Sequence, residues 1–389
     1  MRQKATVFEQ VVQQFPWQHF DRLVREHGAD NTQRGFTSRK HFLALLAGAL
    51  GGQQGLRPTV AGLAPNSGAL RPLGGKAPAR STLADANRTR PADLFVDLML
   101  RLIGSVANRL ARRSLREAVR LIDSTHLDLG RRMHRWFGLT QGRVAAKLHV
   151  VFDPAAQRPV YFALTPARTN DITAAKDLIP IEKGATYVFD LGYCDYAWWA
   201  ALDKAGSTFV TRLRHNTRLR ETTERPVPEG TNILSDRVGR LSARLASSRA
   251  NPFGRLGREV TVRISTGKVL RLFTNDLTSS AEAIADLYKE RWQIELFFKW
   301  IKQNLKIARF MGSSENAIRI QIAVAMIAYL LVQLAQQAQT KPVTGATILL
   351  IVRMHLFVRR PLAALLDPRT QRQQPPPKDA PLLEWGLCT

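Results

Sequence analysis

The hydrophobic pattern changes its period near residue 118, and nothing else in the sequence constrains the fold as strongly. Before that point apolar residues recur three and four positions apart, as in Phe8, Val11, Val12 and Phe15, or Phe42, Leu43, Leu46 and Leu50. That is the spacing of helices that bury one face. After it come short runs with β-branched and aromatic content, at residues 119–122, 145–152, 160–164 and 187–189. Such runs predict strands. Residues 171–178 lie between the third and fourth runs and read as a helix. Three strands, a helix and another strand make a mixed α/β sheet with a crossover. A fifth strand is expected at 208–213, just after Trp198 and Trp199.

Outside this block the organisation is coarser. Residues 1–115 read as an N-terminal helical region, with a Gly/Pro-rich stretch at 51–79 expected to be a loop or a degraded helix pair. Ser81 and Thr82 ahead of Asp85 resemble a helix start, and Arg80, Arg88 and Arg90 give that segment a basic face. Two readings of it stand side by side: a helix that enters a DNA groove, or a scaffold with solvated arginines. Residues 215–275 alternate basic, β-branched and turn residues and predict a β-rich insertion. Helical character resumes from 281 to 305 and again from 318 to 337. The boundaries expected are therefore 1–115, a core of 116–214 with 276–340, the insertion 215–275, and a C-terminal helix with a Pro/Gln-rich tail at 341–389.

Charge narrows the partners. Lys and Arg number 57 against 31 Asp and Glu, a formal net charge of +26. An excess of this size draws in polyanions, and each phosphate neutralised releases counterions. Nucleic acid is the expected partner, ahead of a membrane surface. Cys194 and Cys388 are too few and too far apart for a disulfide scaffold or a thiolate zinc site. The first ten residues, MRQKATVFEQ, lack the apolar run of a signal peptide. The most apolar stretch, 317–334, carries Arg319, Gln321 and Gln333, which favours a buried helix over a membrane span. A reducing, soluble compartment where DNA is present is the expected location.

The segment 288–302, YKERWQIELFFKWIK, is the most informative. With Tyr288 at zero and about 100° per residue, Arg291 falls at roughly −60°, Glu295 at roughly −20° and Lys302 at roughly −40°. One carboxylate thus shares a narrow stripe with two cations and a phenol. Leu287, Ile294, Phe297, Ile301 and Leu305 form the neighbouring apolar arc that packs on a sheet. An ordinary Arg291–Glu295 helix pair explains two of the four polar groups but not Tyr288 and Lys302 on the same line. Asp123 and Asp190 each follow an apolar run, at the sheet rim where α/β proteins bind ligands. Two adjacent carboxylates call for a cation, and magnesium takes carboxylates together with phosphate oxygens.

These residues carry a resemblance. The sequence resembles the bacterial insertion-sequence transposases of the IS-four group. Tyr288, Arg291, Glu295 and Lys302 match the signature Tyr-(2)-Arg-(3)-Glu-(6)-Lys, and Leu121-Ile122-Asp123-Ser124-Thr125 and Phe189-Asp190-Leu191-Gly192-Tyr193 match the two aspartate motifs. Lys147-Leu148-His149 and Asn170-Asp171 look like family landmarks between them. The match spans roughly residues 115–335. The resemblance implies a ribonuclease-H-like catalytic fold with a β-rich insertion before the glutamate. It implies two Mg2+ or Mn2+ ions on Asp123, Asp190 and Glu295, and contacts from Tyr288, Arg291 and Lys302 to the transposon end. It also implies nicking by water, hairpin formation by the freed 3′-OH, reopening of the hairpin, strand transfer to target DNA, and a dimer synapsed on the terminal inverted repeats. A catalytically inactive DNA-binding derivative and a metal-dependent nuclease are the alternatives.

Further residues keep two readings each. Arg212, Arg214, His215, Arg218 and Arg220 at the entrance of the insertion are phosphate contacts or a solvated loop. Trp198, Trp199, Trp292 and Trp300 are core residues or platforms for an unstacked base. His126, His134 and His149 have no helical metal spacing, and His126 is expected to pack near the site. Cys194 is expected to be buried and inert.

Overall fold

The structure is a computed structural model and describes residues 5–31, 35–110, 118–129, 139–140, 143–227, 229–246, 249–305, 312, 314–340 and 342–367. Among these residues ten strands form one sheet. Its first part contains β1 (Val119–Leu129), β2 (Leu139–Thr140), β3 (Arg143–Asp153), β4 (Arg158–Pro166), β5 (Thr186–Val188) and β6 (Thr208–Arg212). β4 pairs with β3, β3 runs antiparallel to β1, and β1, β5 and β6 run parallel in that order. This β4–β3–β1–β5–β6 arrangement is ribonuclease-H-like. The second part extends the same sheet. β7 (Arg220–Glu224), β8 (Ile233–Arg240), β11 (Leu256–Arg263) and β12 (Val269–Thr274) continue it past β6 in the order β12, β11, β8, β7. The short β9 (Arg244–Ala246) and β10 (Arg249–Ala250) pair with each other.

Helices cover both faces, because the strands alternate two apolar sets. Leu121, Val188 and Val210 belong to one core; Ile122, Tyr187, Phe189 and Phe209 belong to the other. The second face carries α8 (Asp171–Leu178) and α9 (Tyr196–Lys204), whose Trp198 and Trp199 are buried among Phe189, Phe209 and Phe273. The first face carries α10 (Ala281–Glu290), α11 (Trp292–Asn304) and α12 (Glu315–Gln337). α12 is long and apolar enough to cross a membrane, yet 83% of its apolar window is buried inside the protein. It is the central post around which the other helices pack.

The helices ahead of the sheet are α1 (Val7–Val12), α2 (Trp17–Glu26), α3 (Ser38–Leu50), α4 (Leu56–Leu63), α5 (Ser67–Leu70), α6 (Arg80–Thr89) and α7 (Ala92–Leu110). Their apolar faces join the same continuous core as α12 and the sheet, together with α13 (Gly345–His355) and α14 (Leu362–Leu366). α1 starts where a capping box predicts it: Thr6 accepts from Glu9 N–H, and the Glu9 carboxylate accepts from Thr6 N–H.

Several sequence expectations change. The stretch 51–79 holds α4, α5 and a 3-10 turn, so of its two readings the short helix pair is the one found and the loop is not. α6 begins one residue before Ser81, and Ala79 precedes it without a side-chain cap. Arg90 is not part of a basic face. It is buried and tied to Asp30, Ser38 Oγ and the carbonyls of Ala29 and Phe36. Arg80 and Arg88 are exposed. The helix read from 281 to 305 is broken at Arg291. His134, Cys388 and the tail beyond Asp367, with Leu382, Leu383 and Trp385, lie outside the described residues.

Candidate active site

Register brings the two aspartates level. The parallel pairing of β1 with β5 ends at Leu121 opposite Val188, and both chains then continue two residues, to Asp123 and Asp190. β5 pairs with β6 through Val188 and Val210, which sets Arg212 at the same height. Side chains alternate across a strand, so Asp123, Asp190 and Arg212 share the face of Leu121, Val188 and Val210, under α10 and α11. Asp123 itself does not end a strand, as the sequence suggested. β1 runs on to Leu129 because β3 pairs with it throughout; only the parallel neighbour stops.

The glutamate arrives on α11. Ile294, Phe297, Phe298 and Ile301 are buried on the sheet side of this helix, each stabilising the packing by about 1.5–3 kcal/mol. Their burial sets the helix rotation and leaves Glu295 half-exposed at the rim. At the junction of α10 and α11 the ladder tightens: Arg291 N–H donates to Tyr288 O and Ile294 N–H to Arg291 O, both at 3.2 Å. These are three-residue steps, the tighter 3-10 geometry that breaks the run of four-residue bonds. The polar stripe survives the break. Arg291 Nη2 donates to Glu295 Oε1 at 2.6 Å, Nη1 lies 3.6 Å from Asp123 Oδ2, and the guanidinium sits 5.7 Å from the Tyr288 ring centre. Lys302 Nζ donates to Thr125 Oγ1 at 2.5 Å.

The electrostatics are those of a carboxylate cluster short of positive charge. Burial, and then the charges of Asp190 and Glu295, push the Asp123 carboxyl up to about 6, against the pull of Ser124 N–H and Arg291. Burial opposes the Arg291 charge, but Tyr288, Glu295 and Asp123 outweigh it and strengthen its hold on the proton. Arg291 Nε is nevertheless buried without a hydrogen-bond partner. Burial raises the Tyr288 phenol above its ordinary range, so it stays a neutral donor. Asp190 accepts from Gly192 N–H at 2.8 Å, and its carbonyl accepts from Thr211 Oγ1 at 3.3 Å.

The remaining sequence candidates divide. Arg212 lies close enough to act on Tyr288. Arg214 and Arg218 are exposed on the loop beyond β6. That loop is braced by Arg271, which donates to the carbonyls of Arg214, His215 and Thr217 and is itself held by buried Glu259. Arg212, Arg214, His215 and Arg271 line a pocket of about 390 Å³ that begins at Leu191, the residue after Asp190. Trp198 and Trp199 are core, Trp300 meets Tyr329 edge-on at 4.9 Å, and Trp292 is exposed. His126 is exposed rather than packed. Cys194 is half-buried rather than buried. Sequence reasoning missed Thr125 as the seat of Lys302, and Asp171 as a fourth carboxylate beside the rim; the signal for the latter was its place in the Asn170-Asp171 landmark.

The geometry defines a class: an acidic, oxygen-only rim on a ribonuclease-H-like sheet, inside a strongly basic protein. Comparison with known proteins narrows it. Residues 114–331 match the family described as "Transposase DDE domain", and residues 3–76 match "Domain of unknown function (DUF4372)". A putative transposase, y4zB, of Sinorhizobium fredii is 40% identical over 307 residues, covering 77% of this chain and 82% of that protein. A probable transposase for insertion sequence element IS5377 of Geobacillus stearothermophilus is 30% identical over 284 residues, 72% of each chain. The piggyBac transposase in a synaptic complex with hairpin DNA aligns at TM-score 0.44 and 10% identity, over 97% of this chain and 84% of that one. The chain belongs to the DDE transposases, enzymes that cut and transfer DNA.

DDE chemistry depends on a divalent metal, and the donor set here fits one: carboxylate oxygens only, with the Asp123 carboxyl raised chiefly by burial and further by the charges of Asp190 and Glu295. Among the described residues no three acidic or His/Cys side chains already converge on one point as a metal site. Glu295 is instead turned to Arg291, which takes the place of a cation between Glu295 and Asp123.

Proposed function

We propose that this transposase excises and reinserts an insertion sequence by cut-and-paste, with Asp123, Asp190 and Glu295 as its catalytic and metal-holding residues. The observation that carries the reading is Arg291 shared between Asp123 and Glu295, beside an Asp190 that the strand register sets level with Asp123. Two Mg2+ or Mn2+ ions on these carboxylates would supply activation of the attacking oxygen and stabilisation of the leaving one.

The chain's own residues do the rest. Asp123, within β1, and Asp190, just past the end of β5, hold one side of the scissile phosphate's surroundings; Glu295 closes the other side once Arg291 releases it. Arg291, with an unpartnered buried Nε, then has donors free to take a phosphate oxygen. Tyr288, kept neutral, donates a hydrogen bond to the same strand. Lys302 neutralises a neighbouring phosphate from its seat on Thr125. Arg212, Arg214 and Arg218 continue the track of positive charge along β6 and its loop, and exposed Arg80 and Arg88 offer a second track on the N-terminal helices. Water is the first nucleophile; the freed 3′-OH then attacks the opposite strand to close a hairpin, water reopens the hairpin to restore the 3′-OH, and that 3′-OH joins the target strand. The active unit is a dimer synapsed on two terminal inverted repeats, in the bacterial cytoplasm where the element's DNA lies.

The test uses a linear duplex carrying the element's own terminal inverted repeat, incubated with the full chain with and without Mg2+. Nicks followed by hairpins, absent without metal and absent in Glu295→Gln, are expected. Nicking alone would make the protein a nuclease of this fold. Tight binding with no cleavage would make it a DNA-binding derivative.

A further inference from the structure

Asp171 opens α8 on the far face of the sheet from Arg291 and Glu295, yet it bonds to Ser124, the residue after Asp123, and lies beside Gly192, two residues after Asp190. Ser124 Oγ donates to Asp171 Oδ1 at 2.6 Å, while Ser124 N–H donates to Asp123 Oδ1 at 2.8 Å. Ser124 therefore joins the two carboxyl groups through one residue. Lys147 Nζ lies 3.2 Å from the same Oδ1 and donates to Thr169 O at 2.9 Å, so its charge is fixed there by two acceptors. His149, opposite Ser124 in the β1–β3 register, comes to 3.8 Å from Asp171 Oδ1. Burial keeps it neutral, with its pKa lowered to about 4. Lys147 and Ser124 from two strands thus fix Asp171.

The other oxygen lies beside the turn that follows the second aspartate. A side chain added at Gly192 would meet Asp190 Oδ1 at 3.0 Å and Asp171 Oδ2 at 3.4 Å. Both carboxylates approach Gly192 where a Cβ would stand, so a larger residue there would crowd them. Tyr193, the next residue, is buried, and its hydroxyl has no atom in hydrogen-bond geometry, although Ser124 is near enough to act on it. Burial and the fields of Asp171, Asp123 and Asp190 hold that phenol un-ionised.

We infer that Asp171 is a positioning residue for the cleavage reaction: it holds Ser124, whose N–H orients the Asp123 carboxylate, and packs beside the Asp190–Gly192 turn, so that Asp123 and Asp190 keep their relative placement. The inference rests on the site reading proposed above. Partners of this kind orient the groups that meet a metal, and losing one costs about 10- to 100-fold in affinity or rate.

The test has an arm that needs no catalysis. In Mn2+ titrations of the DNA-free full chain followed by electron paramagnetic resonance, Asp171→Asn is expected to bind Mn2+ about 10- to 100-fold more weakly than wild type. Its melting temperature stays near wild type, and so does Mn2+ binding by Asp177→Asn, an exposed change on the same helix. In end cleavage, kcat of Asp171→Asn falls by a similar factor while KM for the DNA stays within about twofold. Ser124→Ala reads the same tie from its other end, and should any Asp171 variant fold poorly it carries the test alone. Its loss is not additive with Asp171→Asn, because both act through one contact. Unchanged Mn2+ affinity in these folded variants, or additive losses, overturns the inference. Wild type that binds Mn2+ but never cuts refutes the function proposed above and leaves the Mn2+ arm to decide this one. Wild type that binds no Mn2+ overturns both.

Discussion

Two arginines with restricted exposure show opposite solutions to the same problem. In the sheet extension Arg258 is 2% exposed and meets Asp236, 3% exposed, through two bonds of 2.8 and 2.7 Å; its third nitrogen donates to Ser279 O. Every nitrogen of that guanidinium is used and one carboxylate answers one cation. At the rim, Arg291 is 17% exposed, is divided between two carboxylates, and leaves Nε unpartnered. Asp123 beside it is pushed up to about 6. A closed pair of the first kind serves the fold. An open cluster of the second kind has spare acidic oxygens and a spare donor, which is what a cation and a phosphate need.

That contrast can be broken from either side. The largest effect is expected at the rim: Asp190→Asn cuts the terminal-repeat duplex on the order of 10³-fold more slowly than wild type, with its melting temperature preserved. A rate within tenfold would remove Asp190 from the chemistry. In the extension the expectation reverses. Asp236→Asn leaves Arg258 charged and buried without its partner, and urea unfolding should show a loss of about 3–4 kcal/mol. Replacing both at once, Arg258→Met with Asp236→Leu, should recover most of it; a double variant as unstable as the single one would mean the pair does more than neutralise itself.

A smaller effect comes from the N-terminal helices. His41 is fully buried, bonded to Asn87 Oδ1 at 2.7 Å, and burial lowers its pKa from 6.5 to about 4. The unfolded chain therefore binds a proton that the folded one refuses between these values. Stability is intact above pH 6.5 and falls as the pH drops towards 4, by roughly 3 kcal/mol for this group. His41→Gln should flatten that part of the curve, measured by denaturant melts at each pH. The smallest effect is expected on the exposed loop. Arg218→Ala should weaken DNA binding uniformly across sequences and lower the slope of log affinity against log salt by about 1. No change in slope would take Arg218 off the phosphate track.

Much of the rim was legible in the sequence because helix and strand periodicities are local. The alignment of Tyr288, Arg291, Glu295 and Lys302 followed from turn geometry, and it holds despite a tightened turn at Arg291 that no residue type announces. Asp123 looked like a strand end because residues 123–126 are polar; they are polar because that part of β1 serves a site on one face and Asp171 on the other. The partners of Asp171 sit 47 and 24 positions away along the chain, so no local pattern could join them. Arg90 misled for the same reason: its basic character suggested a DNA face, while its acidic partner Asp30 lies 60 residues upstream. Non-local ion pairs leave no periodicity to read.

The central claim is that the rim carboxylates take divalent metal in exchange for Arg291. Its most direct test is a crystal structure of the full chain with Mn2+ and its terminal-repeat DNA, read by anomalous scattering. The account predicts Mn2+ peaks on Asp123, Asp190 and Glu295, with Arg291 moved off Glu295 onto a phosphate. Arg291 still on Glu295, with no peak at Asp123, would contradict it.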